Sequence, residues 1–131
     1  MNAKALRLVY YLDHIIQAIE RIESYVDDMV ETAFLDSSLV QDAVLRNIEI
    51  VGEASRKIEL GFPTFAQAHP ELPLAVAYQM RNVVAHGYFK VDLELVWKTI
   101  HRDLPELHKM VLAARNQAAR DTQNLPGQTP D

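Results

Sequence analysis

Apolar residues recur along residues 8–33 in alternating steps of four and three. This spacing brings each of them back to one side of an α-helix, so it predicts a long helix over residues 4–32 with a single buried stripe. The stripe consists of Leu8, Leu12, Ile15, Ile19, Ile22, Val26, Met29 and Ala33. Such a helix needs another element to cover its stripe, which favours a helical bundle.

A second long helix is predicted over residues 38–60, antiparallel to the first. The Asp-Ser-Ser segment at 36–38 supplies candidate N-caps, and Ser38 and Gln41 have the spacing of a capping box. Gly61 and a following proline end the helix. Its expected inner face consists of Val40, Val44, Ile48, Val51, Ser55 and Ile58.

Shorter helices follow, separated by prolines. Residues 62–73 contain three prolines and predict a connector with one helical turn near 64–68. A third helix is predicted from Pro73, a residue suited to the first helical position, to His86. Asp92 then caps a fourth helix, whose apolar residues continue at helical spacing.

Pro105 either kinks the fourth helix or begins another one that Asp103 caps. Residues 121–131 are rich in Pro, Gly, Gln, Thr and Asp, which predicts a disordered tail. We therefore expect one all-α domain over residues 1–120. It is a helical bundle with two long antiparallel helices plus two or three shorter helices.

Composition restricts the function. The net charge of −5 argues against non-specific coating of nucleic acid, although residues 71–120 carry seven Lys and Arg against five Asp and Glu. The chain has no cysteine, which excludes disulfides and thiolate metal sites. Asp13 and His14 cut the first apolar run too short for a signal peptide or a membrane span. We expect a cytoplasmic protein with no membrane association.

The segment 81–88, Arg-Asn-Val-Val-Ala-His-Gly-Tyr, places several functional groups on an otherwise apolar helix. Arg81 can clamp a phosphate, and His86 can move a proton near neutral pH. Five residues of helix turn about 500°, so positions 81 and 86 point about 140° apart, whereas Asn82 and His86 share a face. The spacing favours a site built by two copies of the helix that cross near a two-fold axis.

Cleavage of RNA by its own 2′-hydroxyl is one reaction that suits these groups. The histidine acts as general base or acid, and the arginine neutralises the charge on phosphorus. The tethered nucleophile requires no metal, and we expect no cofactor. The alternative is that Arg81 forms an ion pair with Glu71 or Asp92 and that His86 is an ordinary helix-end residue.

Other polar clusters suggest structure rather than chemistry. Glu49 and Glu53 could pair as carboxylates, but nearby arginines favour an ion-pair lattice. His101 and His108 are expected at the surface, and the acids at 27–31 lack a convincing metal geometry. Packing, not base stacking, is expected of the large aromatic residues Tyr10, Tyr11, Tyr25, Tyr78 and Trp97.

At the segment 81–88 the chain resembles the HEPN superfamily, and more closely its HepT toxin branch. The family pattern is Arg-x4-His-x-Tyr with a polar residue after the arginine, here Arg81, Asn82, His86 and Tyr88. The second helix contains a further typical segment, 46–54, which makes Glu53 a possible supporting residue. The resemblance covers about residues 4–118.

The resemblance implies a helical bundle that dimerises through the motif-bearing region, with Arg81 and His86 as catalytic residues. It implies a metal-independent endoribonuclease in a type II toxin–antitoxin pair. The partners would be RNA and a nucleotidyltransferase antitoxin, which transfers AMP to Tyr88 and can form a higher assembly with the homodimer. An AMP group beside Arg81 and His86 would occupy the phosphate site.

Two other functions remain open from the sequence. The chain could be a non-catalytic module that binds a nucleotide or a partner and acts with a nucleotidyltransferase. It could also be a plain dimerisation module, in which Arg81 and Tyr88 would have no role in the cell.

Overall fold

The computed structural model of the protein describes residues 3–86 and 92–123, with the side chains of 81–86 and 123 outside the description. All regular structure in these ranges is helical, which confirms the all-α bundle. The helices are α1 (Ala3–Val26), α2 (Glu31–Leu35), α3 (Ser38–Gly61), α4 (Pro63–Ala68), α5 (Leu74–His86), α6 (Leu93–Arg102) and α7 (Leu104–Gln123). None of these helices is long and apolar enough to cross a membrane.

The first helix is shorter than predicted, because α1 ends at Val26 and the chain turns at residues 27–28. Two consecutive aspartates favour local side-chain hydrogen bonds over helix, which explains the early end. After this turn the buried positions no longer follow the four-and-three spacing that was predicted for α1. Phe34, not Ala33, is therefore fully buried in α2, and its ring packs 5.4 Å from that of Trp97.

The start of α3 also differs in detail. The N-cap is Ser37, whose side chain accepts a hydrogen bond from the Val40 amide at 3.3 Å. The predicted capping box at Ser38 is wrong, because the Gln41 amide donates instead to the carbonyls of Phe34 and Leu35, both at 3.0 Å. These bonds satisfy carbonyls at the end of α2 and tie it to α3.

The two long helices α1 and α3 pack antiparallel, as predicted. Tyr11, near the start of α1, lies against Phe62 just after α3, whereas Arg21 approaches Asn47 in the first half of α3. The predicted inner face of α3 is buried except for Val40, which is half-buried. Ser55 is buried, and its hydroxyl is satisfied there because it donates to the Val51 carbonyl at 2.7 Å.

Helix α7 covers another side of α1. Arg115 donates to Asp13 at 2.8 Å, and His108 lies 2.9 Å from Glu20. The two pairs are separated by seven residues on both helices, so they lie two turns apart along one antiparallel seam. Pro105 lies in the first turn of a separate helix, as the second predicted alternative has it, and Asp103 is the C-cap of α6.

Helix α7 extends to Gln123, three residues past the predicted domain end at 120, and the rest of the predicted tail lies outside the described residues. Helix α5 begins one residue after Pro73 and packs on α3, and the predicted cap at Gly87 lies outside the described residues. At this contact the Arg56 guanidinium lies 4.8 Å from the centre of the Tyr78 ring. Helix α3 is thus the central helix, with α1 and α5 as neighbours.

Replacing Phe34 tests how α2 is held. Phe34→Ala should lower the free energy of unfolding by about 3–5 kcal/mol, because it removes a fully buried ring from the core. Urea denaturation followed by circular dichroism measures the loss. The exposed neighbour Thr32 provides the control, and Thr32→Ala should change stability by less than about 0.5 kcal/mol. Equal effects of the two substitutions would contradict the packing of α2.

Candidate functional site

Helix α5 carries three of the four predicted motif residues. Arg81, Asn82 and His86 lie in its last six positions, and His86 is its final residue. Tyr88 lies outside the described residues. The structure therefore describes only the backbone of α5 at these three motif residues. The roles of the four motif side chains stay predictions.

The backbone is helical throughout positions 81–86, which is the condition on which the two-copy argument depends. Positions 81 and 86 are thus separated by about 140° around the helix axis, while 82 and 86 fall on one side. A single α5 therefore does not place Arg81 and His86 on a common face.

The two carboxylates considered as partners for Arg81 have local roles. Asp92 caps α6, and its Oδ1 accepts a hydrogen bond from the Leu95 amide at 3.0 Å. Glu71 lies 3.0 Å from the His69 ring, and this hydrogen bond lowers the pKa of the exposed Glu71 carboxyl. Both carboxylates thus help to shape the segments that flank α5.

The second family-like segment, 46–54, lies on α3 beside α1. Arg46 is 3.8 Å from Glu49, which is one pair of the predicted lattice, while Arg56 pairs with Glu59 at 3.0 Å. Glu53 is exposed and lines a groove between α1 and α3. The described lining residues of this groove come from these two helices, and the supporting role of Glu53 stays a prediction.

The groove is the feature that the sequence analysis missed, and we call it the α1–α3 groove. From α1 it is lined by Tyr10, Tyr11, His14, Gln17 and Arg21, and from α3 by Arg46, Ile50, Glu53, Ala54 and Lys57. Residues 10, 14, 17 and 21 repeat at helical spacing, as do residues 46, 50, 53 and 57. Seven of these eight positions carry a polar or aromatic polar side chain, and this periodicity beside the apolar stripe could have revealed the groove.

The other residues that the sequence suggested as site candidates can now be placed in the fold. The His101 ring stacks 4.1 Å from Trp97, and His108 pairs with Glu20 on α1. Tyr10 and Tyr25 pack only in part, since they are 56% and 40% exposed, and the Tyr10 ring contacts those of Tyr11 and His14. Among the described side chains of residues 3–80 and 92–122, no three His, Asp or Glu form a group that could hold a metal ion, and this range includes the acids at 27–31.

Comparison with known proteins gives one family. The family model described as ribonuclease HepT-like matches residues 15–114. A protein of Thermococcus cleftensis named "Probable ribonuclease HepT" is 40% identical over 97 residues, which cover 74% of this chain and 86% of that protein. A Caldanaerobacter subterraneus protein named as a "Putative RNase" is 32% identical over 101 residues, covering 77% of this chain and 88% of its own length.

A longer relative matches as well. A Methanocaldococcus jannaschii protein named "Gamma-glutamylcyclotransferase and putative RNase" is 35% identical over 114 residues. The match covers 87% of this chain but only 50% of that protein, so the chain spans about half of its length. No solved structure matches the chain significantly.

Proposed function

The chain belongs to the ribonuclease HepT-like family, and on that premise we propose that it is a metal-independent endoribonuclease toxin. The observation that carries the proposal is the complete Arg81-x4-His86-x-Tyr88 series, which lies inside the matched region and whose first six residues end α5. We place the protein in the cytoplasm, with RNA as its substrate.

The proposed reaction is an internal transesterification. The 2′-oxygen of the substrate attacks the adjacent phosphorus, the bond from phosphorus to the 5′-oxygen breaks, and a 2′,3′-cyclic phosphate remains. His86 accepts the proton of the 2′-hydroxyl or donates one to the departing 5′-oxygen. Arg81 neutralises the charge that accumulates on the phosphoryl oxygens, and Asn82 assists by hydrogen bonding.

The proposed site uses two copies of the chain. Because one helix separates positions 81 and 86 by about 140°, Arg81 of one copy and His86 of the other meet more readily on one phosphate. A two-fold axis between two α5 helices would create two such sites, since each copy contributes both residues. The functional unit is then a homodimer that forms through the motif-bearing helix.

The proposed control acts on Tyr88. A nucleotidyltransferase antitoxin transfers AMP from ATP to the phenol oxygen and releases pyrophosphate. The added phosphate is anionic and would compete with the scissile phosphate for Arg81. The neutralised toxin and its antitoxin would form a complex larger than the dimer.

A non-catalytic module that binds a nucleotide or a partner is the second candidate. The acidity of the chain favours it, because a net charge of −5 opposes RNA binding at long range. It predicts tight binding of the nucleotidyltransferase without RNA cleavage under any condition.

Replacing His86 tests catalysis. His86→Ala should lower the rate of cleavage of a single-stranded RNA by about 10²–10⁴-fold, because it removes the group that transfers the proton. His101→Ala, at an exposed histidine on α6, should leave the rate unchanged. EDTA should have no effect on the parent protein. Cleavage that survives His86→Ala, or that EDTA abolishes, would contradict the proposed mechanism.

Mixing two inactive variants tests the two-copy site. Arg81→Ala and His86→Ala proteins, inactive alone, should regain about a quarter of the parent activity when refolded together in equal amounts, because half of the dimers are mixed and carry one intact site. If both residues act within one copy, no activity returns. As the converse control, the double variant should inhibit the parent protein when the two are mixed.

Tyr88→Phe tests the proposed control. Intact mass spectrometry after co-expression with the nucleotidyltransferase partner should show mass gains in AMP steps for the parent protein. Tyr88→Phe should abolish them because the acceptor oxygen is removed, whereas Tyr25→Phe, at an exposed tyrosine on α1, should preserve them. A mass gain that persists in Tyr88→Phe would place the modification elsewhere.

A further inference from the structure

The α1–α3 groove combines positive charge with an exposed aromatic surface. Arg21, Arg46 and Lys57 line it together with His14, and Glu53 is the one carboxylate among its described lining residues. The groove therefore has a local excess of cations, although the chain as a whole has a net charge of −5. A basic groove of this kind attracts a polyanion even when the whole protein is acidic.

Two of the three acidic residues of α1 face α7, which helps to preserve the charge of the groove. Asp13 accepts from Arg115 and Glu20 pairs with His108, so both carboxylates are engaged by α7. On α3, Glu59 pairs with Arg56, which lies over Tyr78 of α5. Of the groove cations, Arg46 has a partner in Glu49, but at 3.8 Å and with 70% of its own side chain exposed.

The two ends of the groove differ. At one end the Tyr10 ring is 56% exposed and lies 4.2 Å from the His14 ring, with the Lys57 amine 6.0 Å from the Tyr11 ring. At the other end Arg21 comes within 3.5 Å of the buried Asn47 amide oxygen, beside Arg46 on α3. Eleven residues of helix separate the ends, a distance of about 16 Å.

We propose that the α1–α3 groove binds a short stretch of single-stranded RNA, and this rests on the proposed ribonuclease function. A base stacks on Tyr10 and His14, and phosphates lie against Lys57 at one end and against Arg21 and Arg46 at the other. Aromatic platforms beside cationic tracks are the usual means of binding single strands. Glu53 lies between the ends, where its negative charge disfavours a phosphate.

A single strand fits this groove better than a duplex does. Two packed helices have axes about 8–10 Å apart, so the depression between them is narrow compared with an RNA helix. A stacking contact on Tyr10 also requires an unpaired base with a free face. The segment 46–54, which the proposed chemistry does not use, thereby gains a role in holding the substrate.

The test measures binding apart from cleavage. In a His86→Ala background, fluorescence anisotropy of a labelled 12-nucleotide single-stranded RNA should show weaker binding for Arg46→Ala. The slope of log K against log salt should decrease by about 0.7 for each phosphate that the variant no longer neutralises. Arg102→Ala is the matched control, since Arg102 is 76% exposed and also has an aspartate at 3.8 Å, yet lies on α6. It should bind as the background protein does.

A second variant and its matched control test the end of the groove that contains Tyr10. Tyr10→Ala should weaken binding roughly tenfold, because loss of one base stack is expected to cost that much. Tyr25→Ala removes another exposed tyrosine of α1 that does not line the groove, and binding should remain unchanged. Circular dichroism should show that all four variants are folded.

Three outcomes would overturn the proposal. The first is equal binding by Arg46→Ala and Arg102→Ala, and the second is a stronger effect of Tyr25→Ala than of Tyr10→Ala. The third is a change in oligomeric mass on light scattering for the groove variants, which would make the groove an interface between copies. Groove-dependent binding without cleavage by the parent protein would instead contradict the proposed function and leave the groove as an RNA site.

Discussion

The burial of one face of α1 is the constraint on which the rest of the structure depends. Leu12, Ile15 and Ile19 are completely buried, so α1 must be covered along its middle. Both α3 and α7 run antiparallel to it and supply that cover. Because a helix has only three to four residues per turn, the faces that remain on α1 are narrow and their polar residues have little freedom of placement.

This arrangement separates the charges of α1. On the side of α7, Arg115 neutralises Asp13 at 2.8 Å, and Glu20 lies 2.9 Å from the His108 ring. The other flank of the stripe carries Tyr10, His14 and Arg21, which face α3. The chain is acidic overall, yet the α1–α3 groove has more cations than carboxylates, because Asp13 and Glu20 of α1 face α7 instead. Net charge alone is therefore a weak guide to nucleic-acid binding in this protein.

The sequence predicts the helices of this fold well, because apolar spacing, caps and prolines are local signals. It fails where a local ambiguity is resolved by packing. Two aspartates end α1 early, and the phase of the stripe then changes from Ala33 to Phe34. Gln41 bonds to the end of α2 rather than closing a capping box, which only the packed structure reveals.

In the candidate site too, the features that depend on neighbouring residues were predictable, and those that depend on packing were not. The motif is legible in sequence because its residues are near neighbours, and its first six residues lie on the helix that the sequence predicts. The α1–α3 groove was missed because its two stripes are about 36 residues apart in the chain and become one surface only when the helices pair. From the neighbouring sequence, Tyr10 was expected to pack. The other helices cover different faces of α1, so Tyr10 is 56% exposed.

The central position of α3 links the groove to the motif helix. Helix α1 packs on one side of α3 and α5 on another, and a helix with its side chains is about 10–12 Å across. If both proposals hold, a strand that is bound in the groove and cut at Arg81 and His86 must span the two places. A substrate too short to do so would occupy the groove or the catalytic residues, but not both, so cleavage efficiency would depend on the length of the unpaired region.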